Sequence, residues 1–209
     1  MPFLIFLSFG VMQTSCNLYG KMQKTGSDNS CILKFKPDFS HCLYKTSVDI
    51  VGNHISGILL FKKMTDSSIR VVFSNESGLT FFDFGFLPDE QFVVYQITPK
   101  MNKKAVIGTL RKDLDLILFR SMNGNQTYIL SDSPLVYHAF PQSKGINYYI
   151  TNLNCSRLLK MQRASDKKPV MEAYLNTEAG FSSPDSISLR HLNFDFTITM
   201  KKISALASQ

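Results

Sequence analysis

The chain has 209 residues, 44% of them hydrophobic and 19% charged, with 23 Lys and Arg against 16 Asp and Glu for a formal net charge of +7. This suits one globular domain, or one domain with a leader, and excludes a disordered or fibrous chain. The bases fall in isolated pairs, Lys62-Lys63, Lys103-Lys104, Lys167-Lys168 and Lys201-Lys202, which excludes the focused basic face that nucleic-acid binding needs and fits a solvated surface facing anionic lipid.

Residues 3–12, "FLIFLSFGVM", are apolar but for Ser8 and Gly10. That is the length of a signal-peptide core and well short of the ~20 residues of a membrane-spanning helix. "QTSC" then sets small or hydroxyl side chains before Cys16, and this resembles a bacterial lipobox, whose cysteine becomes the lipid-bearing first residue of the mature protein. The preceding "MP" has no Lys or Arg, and Gln13 stands where the commonest lipobox has Leu. Read this way, residues 1–15 are a lipoprotein signal peptide, 16–30 a polar tether, 31–204 one domain and 205–209 a tail. The resemblance implies membrane attachment through Cys16 in the envelope of a Gram-negative bacterium. Asn17, in place of the Asp that retains some lipoproteins in inner membranes, inclines this to the outer membrane. The competing reading is a buried N-terminal strand with a structural cysteine.

Short runs rich in Val, Ile, Phe, Tyr and Thr follow, separated by turn-forming residues. In chain order they are "CILKFK" from Cys31, "CLYKTSVDIV", "HISGILLFKK", "SIRVVFS", "GLTFFDFGF" and "EQFVVYQI". From Asn102 to Arg120 the period changes: Val106, Leu110, Leu114, Ile117 and Leu118 form a helical stripe, with Asn102 as N-cap and "MNGN" as the stop. Gly108 weakens this helix by about 1 kcal/mol relative to Ala. Strands resume at "TYILS", "INYYIT", "SRLLKMQRA", "PVMEAYLN", "SISLRHLN" and "FDFTITMKKI". The fold class is therefore mainly β (α+β): a strongly curved antiparallel sheet, or unclosed β-barrel, of about eleven strands around one long helix.

Few side chains promise chemistry. With Cys16 set aside, Cys31, Cys42 and Cys155 are odd in number; Cys31 and Cys42 either bridge or stay as buried free thiols. No CxxC, HxH, HExxH or GxSxG frame occurs, so no catalytic residue, metal or cofactor is expected. His191 and Asp195 meet across the last turn only as a surface pair, and Asp113 and Asp115 point to different faces of the helix. Asp83, amid phenylalanines, faces water on the outer side of its strand. Asn75, Asn125 and Asn154 lie in N-x-Ser/Thr frames, which matter only for a secreted glycoprotein.

A lipobox-like Cys16, a polar tether, an antiparallel meander with an embedded helix and the terminal strand "FDFTITMKKI" together resemble the LolA/LolB lipoprotein-localisation superfamily. The resemblance implies an unclosed barrel whose helix lids a hydrophobic cavity for lipoprotein acyl chains. A chain with its own lipid-bearing cysteine is closer in layout to the LolB receptors, although "KMTDSS" is short and polar where those receptors carry a protruding apolar loop. Strand alternation then names the candidate lining: Phe82, Phe84 and Phe86 on one strand, Tyr95 with Val93 and Ile97 on the next, and Phe194, Phe196, Ile198 and Met200 on the last. The function so implied is non-enzymatic binding of an acyl chain, lipid or lipoprotein. The alternatives are a packed structural lipoprotein working through protein contacts and an envelope hydrolase, the latter requiring a buried His-carboxylate pair in a cleft.

Overall fold

The computed structural model describes residues 17–120, 122, 126–177 and 182–203. Cys16, Asn125, the apolar leader and the whole tail lie outside the described residues. The first meander comprises β2 (His41–Ile50), β3 (Asn53–Lys63), β4 (Ile69–Ser74), β5 (Thr80–Phe86) and β6 (Phe92–Ile97). Helix α1 (Lys104–Ile117) follows. The second meander comprises β7 (Tyr128–Asp132), β8 (Leu135–Pro141), β9 (Ile146–Asn152), β10 (Leu158–Ala164), β11 (Pro169–Asn176), β12 (Ser186–His191) and β13 (Phe196–Lys202), and β1 (Gln23–Gly26) precedes them all.

All thirteen strands form one antiparallel sheet in the order β1-β7-β8-β9-β10-β11-β12-β13-β2-β3-β4-β5-β6. The last strand pairs with the second, Phe196 opposite Ile50 through Lys202 opposite Tyr44, and this joins the two meanders. Strands β1 and β6 remain edges, so the sheet is curved and unclosed. Along β5 the alternation buries Phe82, Phe84 and Phe86 and turns Asp83 outward, where Arg70 of β4 grips it with two nitrogens. That ion pair holds the Arg70 guanidinium above its ordinary pKa.

Helix α1 sets Leu110, Leu114, Leu116 and Ile117 into the core formed with the sheet. Each such side chain contributes roughly 1.5–3 kcal/mol of apolar burial. The helix begins one residue later than an Asn102 cap predicts. Asn102 is not its cap: the Asn102 amide turns back to the Thr98 carbonyl at 3.0 Å, and Lys103 stands at the N-cap with no side-chain bond. It ends before "MNGN" as well, because Phe119 takes the left-handed region at φ 55° and the Arg120 amide closes onto the Asp115 carbonyl at 3.0 Å. Among the described residues no helix is long and apolar enough to cross a membrane.

Three expectations are corrected. Residues 31–36 are not a strand: Ser30–Phe35 form a 3-10 helix in which Ile32 is fully buried and Leu33 is 58% exposed, the reverse of the alternation. The stretch expected as a tether belongs to the fold from Leu18 onward, since β1 pairs with β7 and Tyr19 stacks on Tyr148 at 4.5 Å. Strands β8 and β9 present Tyr137, Tyr148 and Ile150 on the convex face, and the N-terminal segment covers that second apolar cluster. The disulfide is Cys31–Cys155, 124 residues apart, and Cys42 is the buried free thiol.

Candidate functional site

Between α1 and the concave face of the sheet lies a cavity of about 750 Å³. The helix contributes Val106, Thr109, Leu110, Asp113 and Leu114, and β13 contributes Phe196, Ile198 and Met200. Strands β2 to β5 close the far wall with Val48, Leu59, Phe73 and Phe82. A lining this apolar arises because each strand directs every second side chain inward while the helix stripe faces the same space.

Of the predicted lining residues, the structure brings Phe82, Phe194, Phe196, Ile198 and Met200 to this cavity. Phe194 sits at its margin, 45% exposed and stacked on Phe196 at 5.8 Å. Phe84 and Phe86 point inward but are fully buried against Phe92, at 5.2 and 5.3 Å, and fill the core instead. Tyr95 lies on the outer face, 52% exposed, its ring centre 3.9 Å from the Arg70 guanidinium. A register shift between Asp83 and Phe84, opposite β6, reverses the phase of that strand. Gly85 leaves the space that the ring uses, since a Cβ there would stand 2.5 Å from Tyr95.

Asp113, the carboxylate of the cavity wall, has a partner that the sequence reading did not assign. His191 does not meet Asp195; its Nε2 donates to Asp113 Oδ2 at 2.8 Å, with the two side chains 3% and 1% exposed. Arg163 Nε stands 3.2 Å from the other Asp113 oxygen. The His191 ring is packed against Phe194 and Phe196, at 4.7 and 4.9 Å. Only the helical position of Asp113, inside the stripe with Leu110 and Leu114, hinted that it points inward.

This buried His-carboxylate pair is half of an acid-base constellation. Among the described residues no hydroxyl or thiol is bonded to the free nitrogen of the imidazole. Cys31, His138 and Cys155 are the one described group at metal-ligand spacing, with donor atoms within 4.8 Å of one another, and the disulfide occupies both sulfurs.

Sheet, helix and cavity define a class: an unclosed antiparallel half-barrel with a helix laid across an apolar pocket. No family model matches the sequence, and no curated protein matches it. Among solved structures the chain is similar to a LolA superfamily protein from Nitrosomonas europaea, at 8% identity over 85% of this chain and 92% of that one, with a TM-score of 0.47. It is also similar to a protein domain from Vibrio parahaemolyticus described as outer membrane lipoprotein-sorting, at 5% identity over 84% and 88% of the chains, with a TM-score of 0.46. A DUF1329 family protein from Desulfovibrio piger, at 8% identity over 84% and 88%, gives a TM-score of 0.39. These are likenesses of layout and bring no function to this chain.

Proposed function

We propose that this protein is a non-enzymatic, lipid-anchored cell-envelope protein that receives an acyl chain, free or carried by a lipoprotein, in the cavity beneath α1. The observation that supports the reading is the cavity itself, about 750 Å³ and walled by aromatic and aliphatic side chains. Its size falls in the range of ~300–1,000 Å³ common to small-ligand sites. A fully packed structural barrel would fill this space, which favours ligand binding over the purely structural alternative. The hydrolase reading finds its buried His-carboxylate pair, with no hydroxyl or thiol bonded to the imidazole among the described residues. In this proposal Cys16 carries the lipid and holds the half-barrel at the outer membrane.

Displacement of a fluorescent fatty acid, with native mass spectrometry of the purified protein, tests the cavity. Wild type binds the probe, and Val106→Trp, which fills the space from the exposed side of the helix stripe, stays folded and loses it. A wild type that carries no lipid and binds no probe defeats the reading. Metabolic labelling with a palmitate analogue tests the anchor separately: equal labelling of Cys16→Ala, or an unlabelled wild type, removes it.

A further inference from the structure

A second cavity of about 490 Å³ lies against the other face of α1. Gly108, Arg111, Lys112 and Asp115 face it, with Gly108 and Asp115 each three or four residues from the adjacent pair Arg111 and Lys112, whereas Val106, Leu110 and Asp113 face the apolar cavity. The helix is thus a partition between an apolar space and a charged one.

We infer that this second cleft binds a phosphate group, on a soluble phosphomonoester or on a lipid headgroup. Its lining carries Arg111, Lys112, Arg120, Lys144 and Arg163 against the carboxylates of Glu90 and Asp115, a surplus of 5 − 2 = +3. Asp115 serves Arg111 at 3.5 Å and Arg120 at 3.3 Å. Burial lifts the Asp115 carboxyl above its ordinary pKa, against the pull of those two guanidinium groups. Lys112 and Lys144 have no carboxylate in ion-pair reach among the described residues. The charge surplus is therefore concentrated on the helix face and on the turn between β8 and β9, across the cleft from one another.

One deeper group, the Arg163 guanidinium, points to a missing acceptor. Arg163 Nε lies 3.2 Å from Asp113 Oδ1 as an ion pair without a hydrogen bond, and both its Nε and its Nη1 are buried with no hydrogen-bond partner. Asn147, at the start of β9, is 5% exposed and lines the cleft beside it. Buried polar groups are ordinarily satisfied, and an oxyanion beside the Arg163 guanidinium supplies the acceptor that the chain does not. A dianion with several oxygens suits donors converging from the helix, the turn and the β9–β10 edge.

Gly108 supplies the room. A Cβ at this position would meet no atom within 4 Å, so packing does not require glycine in the middle of the helix, and any longer side chain would project into the cleft. This site is separate from the apolar cavity, and its occupancy does not depend on the acyl-binding reading.

The test follows the side-chain amide of Asn147 by nuclear magnetic resonance in the full chain, with inorganic phosphate as the probe. Its signals move saturably, and the paired substitution Lys112→Gln with Lys144→Gln weakens the response about tenfold, the order expected from losing charge-assisted contacts. Gly108→Met keeps the helix, retains fatty-acid displacement if the wild type shows it, and loses the phosphate response. Glycerol phosphate binding as well as or better than inorganic phosphate assigns a soluble ligand. Sedimentation with phosphatidic acid vesicles that the lysine substitutions abolish assigns a headgroup. Potassium chloride at matched ionic strength reproducing the shift, or wild-type binding by both altered chains, overturns the proposal.

Discussion

Asp113 of α1 and His191 of β12 share a 2.8 Å hydrogen bond across 78 residues of chain, both side chains almost wholly enclosed. With Arg163 they clamp the helix to the second meander at the edge of the apolar cavity. Removing one partner from such a buried cluster strands the others without a counter-group, so Asp113→Ala costs about 3–5 kcal/mol. His191→Phe costs less, since Arg163 still meets Asp113 and the new ring packs with Phe194 and Phe196. Urea titrations with unchanged slope measure both; a cost for Asp113→Ala under 1 kcal/mol would mean the clamp contributes little.

Acid destabilises the protein through His138. Burial pushes this imidazole down to about 4 from its ordinary 6.5. Its Nδ1 donates to Asn29 Oδ1 at 2.8 Å, which leaves Nε2 as the bare nitrogen near Thr151. The unfolded chain binds the proton first, so the stability due to neutral His138 is complete above pH 6.5 and drains as pH falls toward 4. The drain attributable to this residue is at most ~3 kcal/mol. Wild type therefore loses more stability than His138→Gln between neutral pH and pH 4, as read by denaturant midpoints at each pH; parallel losses would assign the acid sensitivity elsewhere.

Reduction loosens the fold. Cys31–Cys155 closes a loop spanning 124 residues and ties the 3-10 segment before β2 to the β9–β10 turn. Its loss costs about 2–5 kcal/mol. Wild type shifts its thermal midpoint downward on addition of a thiol reductant, while Cys31→Ser starts at the lower value and does not respond. A reductant-insensitive wild type would show that the bridge does not form in the protein as isolated.

The turn between β2 and β3 carries avoidable strain. Val51 and Gly52 take φ 45° and φ 74°, the positive pair of a two-residue hairpin turn, and Val51 is 68% exposed. A β-branched residue resists this region, whereas Asn-Gly favours it. Val51→Asn stabilises by about 1 kcal/mol. Chemical denaturation would show the gain, and a loss of stability would place a structural demand on the valine side chain.

How much was legible varied with the range of the interaction. The alternation through Phe82, Phe84 and Phe86 and the stripe through Leu110, Leu114 and Ile117 declared their inward faces, because strand and helix geometry act between near neighbours. The β13 side chains Phe196, Ile198 and Met200 were legible for the same reason. Tyr95 was not, since one shifted pairing opposite Asp83 and Phe84 reverses a strand without any trace in its own composition. The cleft beside Gly108 was likewise invisible, for it requires the β8–β9 turn and the end of β10 to arrive at the helix.

From sequence alone came the mainly antiparallel architecture, the single helix and the apolar residues that wall the cavity: properties of periods two and 3.6, set by backbone geometry. Tertiary structure alone decided which of those residues leave space between them and which close on one another. It also decided that Cys31 finds Cys155 and that Asp113 finds His191. Such partners are chosen by how the curved sheet brings β12 and β13 round to β2 and docks the helix inside, and no local pattern encodes that closure.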